Sequence, residues 1–316
     1  MMTAEPSTGG AVSPSTRRML ASLAHPDDES FGPGGTLALY ANRGVDVHLI
    51  CATRGDVGTV DPSYLTGFAN VAELRQAELE CAGQALGLSR IHLLDYRDSG
   101  MAGSPDNQHE RALAAAPLDT IVEQITRIIR QIRPQVVLTF DSIGGYHHPD
   151  HIRMHQATVE AFQAAADPSR FPNGLEPYQP QKLYYHTFPR RWLRLLVRLM
   201  PLLGMNPKAW GRNNDIDLTA ITDHDIPVHA VVDVSETLAA KQLASACHAS
   251  QTDEDDSPGF LLNWLRRLGR NRETFMRGYP APPAGLRETD LFAGVTEPEP
   301  ALARSDQPGE KAGSAV

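Results

Sequence analysis

The chain is short of several features that mark large protein classes. It carries three cysteines in 316 residues, Cys51, Cys81 and Cys247. They stand far apart and none belongs to a CxxC, so they read as small reduced core residues rather than a disulfide framework. No run of about 18 apolar residues occurs, so no membrane-spanning helix is expected. The longest candidate, Trp192 to Met205, is interrupted by Arg194, Arg198 and Pro201. The opening MMTAEPSTGGAVSPSTRR has no apolar stretch of the secretory type. These absences lead to the expectation of a soluble cytoplasmic protein. Basic charge is also scarce. Lys and Arg total 29 against 38 Asp and Glu, a net charge of −9, which argues against a general nucleic-acid binder. Gly32, Gly34 and Gly35 lack GxGxxG spacing, and the acidic turn beside them repels pyrophosphate, which argues against a dinucleotide site. Ser99 and Ser142 have no nucleophile-elbow flanks, which argues against a serine hydrolase.

What is present is a globular composition, with 41% hydrophobic residues. Residues 1–16 and 296–316 are rich in Ser, Pro, Gly and charge, and are expected to be disordered tails around one domain spanning 17–295. Within it, strand-like and helix-like segments alternate. Met19 to Ala24, Val45 to Thr53, Ile91 to Leu94 and Val136 to Phe140 read as strands. Ser30 to Arg43, Val71 to Leu88 and Leu118 to Arg133 read as helices. The last has Leu118, Ile121, Ile125, Ile128, Ile129 and Ile132 on one stripe. The alternation predicts an α/β fold, a mostly parallel sheet with helices on both faces. Ligands of such sheets bind outside the carboxyl ends of the strands.

Two polar clusters fall at such ends. Ala24-His25-Pro26-Asp27-Asp28-Glu29 follows the first strand, and Asp141 to His151, ending His148-Pro149-Asp150-His151, follows the strand closing at Phe140. A catalytic zinc takes three ligands from His, Asp or Glu and keeps one position open. His25, Asp28 and His151 supply such a set, although two histidines and a carboxylate also suit non-haem Fe2+. Asp27 is then a candidate general base. His148 is a candidate cationic stabiliser or proton donor, and Tyr146 a hydroxyl donor to the same oxyanion. His147 is expected at the pocket rim. His155 is expected behind the ligands or in a structural role, and His248 at a helix end favoured by the dipole.

The paired motifs resemble the LmbE-like family, also called the PIG-L or GlcNAc-phosphatidylinositol de-N-acetylase family. The likeness runs over roughly residues 18 to 292 and includes Gly34-Gly35-Thr36, Ala52 to Gly55, Glu73 to Glu78, Arg97 to Met101 and His248 to Gln251. It implies a Rossmann-like single domain and zinc-dependent removal of an acyl group from an amino sugar or similar amide. It also implies that His25, Asp28 and His151 hold the metal, that Asp27 is the base, and that His148 assists the oxyanion and leaving amine. Relatives of the actinobacterial mycothiol pathway look nearest. They imply that Tyr146 meets the reacting carbonyl, that Arg75 contacts substrate, and that Asp98 lines the same site. Two other functions are open: an amidase cleaving thiol S-conjugates with the same residues, and a metal-dependent binding or regulatory protein.

Arg190, Arg191, Arg194 and Arg198 alternate with apolar residues. This predicts an amphipathic helix packed on the core, or one touching an anionic substrate, a membrane surface or a second subunit in a homo-oligomer. Leu261 to Arg267 has the same pattern. The expected partner is a small amino-sugar or amide substrate.

Overall fold

The computed structural model describes residues 17–172, 174–187, 190–209, 217–222, 226–252 and 271–296. The two tails and the Leu261 to Arg267 segment lie outside the described residues, apart from Thr296. The strands are β1 (Arg18–Leu23), β2 (Asp46–Thr53), β3 (Arg90–Tyr96), β4 (Val136–Phe140), β5 (Lys182–Thr187), β6 (Ala230–Asp233) and β7 (Arg272–Tyr279). They form one sheet in the order β3-β2-β1-β4-β5-β7-β6. The first five are parallel, and β7 runs antiparallel to both β5 and β6. Every residue of β4 is buried, as expected of a central strand covered on both faces.

After β1 come α1 (Asp28–Phe31) and α2 (Gly34–Asn42), then α3 (Val71–Leu86) and α4 (Leu118–Ile132). The chain continues through α5 (Gly144–His147), a single tight turn with non-helical backbone at Gly145 and Tyr146, then α6 (Pro149–Ala164), α7 (Arg190–Leu199), α8 (Leu218–Thr222) and α9 (Leu238–Cys247). Helices α2, α3 and α9 pack together on one face, and α4 with α6 on the other. The α4 stripe is buried as expected, through Ile121, Ile125, Ile129 and Ile132. Arg130 is buried on the same helix. Its guanidinium donates to the carbonyls of Ala164, Ala165, Asp167, Arg170 and Phe171 at 2.7–3.1 Å, tying α4 to the end of α6 and the turn that follows it.

Some boundaries differ from expectation. The single helix read over Ser30 to Arg43 is two, because Pro33 lacks an amide hydrogen and disfavours helical backbone before it. The amides of Gly35 and Thr36, left free where α2 starts, donate to Glu273 of β7 at 2.9 and 2.8 Å. Helix α3 ends at Leu86, two residues before the expected Leu88, with Gly87 in the left-handed region. The amphipathic segment after β5 is the helix α7. Its Val197, and Met200 just beyond its end, form a small cluster with Leu218 and Ile221 of α8.

The cysteine reading is overturned. Cys81 of α3 and Cys247 of α9 are joined by a disulfide, with Cα atoms 5.8 Å apart. Side-by-side packing of α3 and α9 brings together residues 166 apart in sequence, a proximity that spacing does not encode. Cys51 is a free buried thiol, as expected. Among the described residues no helix is long and apolar enough to cross a membrane.

Candidate metal centre and its pocket

Strands β1 and β4 are neighbours, yet the chain leaves β1 toward β2 and leaves β4 toward β5. This is the switch point of the sheet, where the crossovers part and a crevice opens. The two motifs face each other across it.

On the β1 side, the carboxylate of Asp28 folds back over its own turn. Its Oδ2 accepts the amides of His25 at 2.7 Å and Ala24 at 3.2 Å. Asp27 lies at φ 122, where L-residues are rare. On the β4 side, Asp141 Oδ1 gathers the amides of Ile143 and Gly145 into a turn. Gly144, at φ 62, passes so close to α6 that a Cβ there would stand 2.8 Å from the Cβ of His151. His148 caps α6, Pro149 follows in the first turn, and His151 faces inward.

Donor atoms of three residues then converge, each Asp28 oxygen facing one of the two rings. His25 Nδ1 lies 3.1 Å from His151 Nε2 and 3.5 Å from Asp28 Oδ2, and His151 Nε2 lies 3.2 Å from Asp28 Oδ1. Ligands about 2.0–2.1 Å from a tetrahedral ion sit roughly 3.4 Å from one another, so the triangle fits a small divalent metal. The far sides of the rings are committed. His25 Nε2 donates to Asp150 Oδ2 at 3.1 Å, with Asp98 Oδ1 at 3.5 Å, and His151 Nδ1 donates to the carbonyl of Gly144 at 3.2 Å. These bonds leave Nδ1 of His25 and Nε2 of His151 as lone-pair donors. Asp150 is in turn held by the amide of Ser99 at 2.9 Å and by the Ser99 hydroxyl.

The electrostatics also suit a cation. Burial works against charge on His25, yet Asp98, Asp150 and Asp28 outweigh it and raise its pKa well above the usual value, so positive charge is favoured there and a bound cation would replace the second proton at Nδ1. Burial likewise opposes ionisation of Asp28, but His151 and His25 hold its carboxyl well below the carboxylate range. The donor atoms of His25, His148 and His151 form an overlapping group within 4.8 Å of one another, as do those of His25, Asp98 and Asp150.

Beside the triangle is a cavity of about 390 Å³. His25, Asp27, Tyr146 and His148 line the wall nearest the donors. Arg75, Asp98, Met101, Ser104, Thr59 and Gln251 line much of the rest. Burial pushes the Asp27 carboxyl up to about 6, against the opposing pull of Arg75, whose Nη2 lies 2.7 Å from Asp27 Oδ2. Burial, together with the nearby His25 and His151, lowers the pKa of His148 well below the ordinary imidazole value. Its Nδ1 accepts the Asp150 amide at 3.2 Å, so the neutral ring carries its proton on Nε2. That makes it a neutral donor rather than the cation the sequence also allowed. Burial raises the Tyr146 hydroxyl far above its usual pKa, so it too remains a donor.

The remaining sequence candidates resolve as follows. The doubled histidine settles on His148. His147, at φ 67, is half-buried and does not line the cavity. His155 donates to the carbonyl of Phe140 at 2.8 Å and meets the ring of Tyr185, a structural position. Arg75 reaches the cavity wall, and its Nη atoms donate to Asp27, Pro26 O and Gly55 O. Sequence reasoning missed Asp150, Ser99 and Glu29 as supports. Two of them stand inside the motifs, but nothing in a linear pattern tells a ligand's support from a capping acid.

Fold and site together define an α/β protein with a buried imidazole–carboxylate metal cage open to one pocket at the switch point. Residues 20–162 match the family model described as PIG-L, GlcNAc-PI de-N-acetylase. Over 304 residues the chain is 38% identical to the 1D-myo-inositol 2-acetamido-2-deoxy-alpha-D-glucopyranoside deacetylase of Kineococcus radiotolerans, covering 88% of this chain and 83% of that one. The enzyme of the same name from Thermobispora bispora is 36% identical over 303 residues, covering 88% of this chain and 99% of that one. The chain belongs to the GlcNAc-PI de-N-acetylase family. Its fold is shared by the N,N'-diacetylchitobiose deacetylase of Pyrococcus horikoshii, with a TM-score of 0.58, 22% identity and 83% of each chain covered.

Proposed function

We propose that the protein hydrolyses the acetamide of a 2-acetamido-2-deoxy-glucopyranoside joined to myo-inositol, releasing acetate and the free amine. The observation that carries this reading is the donor triangle of His25, Asp28 and His151 with Asp27, an acid outside the triangle, opening onto the same cavity. The names and the near-full-length likeness of the curated relatives support the substrate.

In this reading His25, Asp28 and His151 hold a divalent ion, zinc by the character of the donors, with Fe2+ accommodated by the same set. The ion supplies Lewis acidity, polarising the amide carbonyl and lowering the pKa of water. Asp27 takes the proton of the attacking water, and its raised pKa lets it hand that proton on to the leaving nitrogen as the C–N bond breaks. His148 Nε2–H and the Tyr146 hydroxyl donate to the carbonyl oxygen as its negative charge grows. Asp98, facing the cavity, accepts from a sugar hydroxyl. Arg75 acts by holding Asp27 rather than by gripping the sugar.

The test is acetate release from the inositol-linked N-acetylglucosaminide, together with metal analysis. Activity should vanish on chelation and return with Zn2+. Metal-loaded protein that releases no acetate from any N-acetylglucosamine derivative overturns the reading.

A further inference from the structure

The turn from His248 to Gln251 follows α9 and touches none of the donor atoms, yet both supports of Asp27 lead back to it. The first support is on the backbone. The Asp27 amide donates to Glu29 Oε2 at 3.0 Å, and Glu29 Oε1 accepts from His248 Nε2 at 2.7 Å. Both His248 and Glu29 are fully buried. Among the described residues the other ring nitrogen of His248 has no hydrogen-bond partner, so the polar bonding of this side chain there goes to Glu29. The second support is on the side chain. Arg75 holds Asp27 Oδ2 from α3, and one turn further along the same helix Glu78 accepts the amide and hydroxyl of Ser250 at 2.8 and 2.9 Å. One turn thus anchors the element beneath the peptide of Asp27 and the element beside its carboxylate.

Such anchoring has a purpose because Asp27 sits at φ 122, a conformation an L-residue leaves unless its surroundings hold it. A relaxed φ would swing the carboxylate out of the cavity wall. We propose that His248 is a positioning residue, which through Glu29 keeps the Asp27 peptide in its left-handed conformation and so aims the base, without touching substrate or metal. The proposal rests on the reading of Asp27 as the base, and its test is built to separate the two.

The test uses full-length, metal-loaded protein and three variants: His248→Phe, which keeps a ring but no donor, His248→Gln, which keeps a donor near the imidazole Nε2, and the isosteric Glu29→Gln. Two readouts are taken. The first is hydrogen exchange at the Asp27 amide, which needs no substrate. Exchange should speed up at least about tenfold in H248F and E29Q and return toward wild type in H248Q. The second is steady-state kinetics. H248F and E29Q should lower kcat about tenfold or more, with KM within about twofold, and H248Q should recover most of the loss. In an Asp27→Asn background, H248F should cost nothing further, since its effect runs through Asp27. A merely structural role would lower activity equally in both backgrounds. Wild-type protection of the Asp27 amide in E29Q overturns the proposal whether or not H248F folds, as does an equal kcat loss from H248F with and without Asp27. If the wild-type protein releases no acetate, the function reading fails, and the exchange measurement still decides the positioning role.

Discussion

At the scale of single residues, position outweighs residue type. Asp27 and Asp28 are adjacent and chemically alike, yet one folds back over its own turn into the donor triangle and the other opens onto the cavity. Asp27 sits at φ 122 with Arg75 on its carboxylate, whereas Asp28 accepts the amides of Ala24 and His25. Asp27→Asn removes the proposed base and leaves the triangle, so metal content should be unchanged while kcat falls by about 10²–10⁴; metal analysis beside acetate release checks both halves. Asp150 shows the converse. It is wholly buried, and its acceptor oxygen fixes the ring of His25. Asp150→Asn should weaken metal binding by about 10–100-fold, measured by competition with a chromophoric chelator, while the fold persists in circular dichroism.

At the scale of elements, the helix ends do much of the organising. Arg130 of α4 satisfies the carbonyls that leave α6 and so fixes the helix that carries His148, Asp150 and His151 at its opposite end. Arg130→Met keeps the bulk and removes the donors. It should cost about 2–4 kcal/mol of stability, read as a lowered midpoint in urea unfolding. How far the elements could be read beforehand follows from their periodicity. Helix α4 and strand β4 were plain because one shows an unbroken apolar stripe and the other a short run buried on both faces. The break at Gly32-Pro33 falls inside the segment read as one helix, because the turn at Asp28–Phe31 is too short to show a period of its own. The Cys81–Cys247 link was missed because it depends on the packing of α3 on α9, and no local pattern records which helices share a face.

At the scale of the whole molecule, the last described segment closes the sheet. Glu288 accepts from Lys182 at 2.8 Å and Tyr184 at 2.7 Å on β5, and from Arg277 at 3.0 Å on β7. Burial opposes its ionisation, but Lys182, Tyr184 and Arg277 outweigh burial and hold its carboxyl below the usual range. A carboxylate with a folded pKa below its unfolded value of about 4.3 stabilises the protein above that value. That stabilisation is lost as the pH falls through the lower folded pKa. Glu288→Gln should therefore lower Tm at pH 7, and the gap to wild type should narrow as the pH drops below about 4; melting curves across pH 3 to 7 check it.

By itself, the sequence determined the alternation of strands and helices, the placement of both motifs at strand ends, and the three residues whose donor atoms converge. Those follow from local periodicity and from the chemistry of side chains close together in the chain. Only the tertiary structure decided which nitrogen of each histidine faces inward, that His148 rather than His147 turns toward the donors, that Arg75 serves Asp27, and that Asp150, Glu29 and His248 stand behind them. Each of these depends on a hydrogen bond or a packing contact between residues distant in the chain or on a backbone angle that such contacts maintain. The free energy that selects among such arrangements resides in the assembled interior.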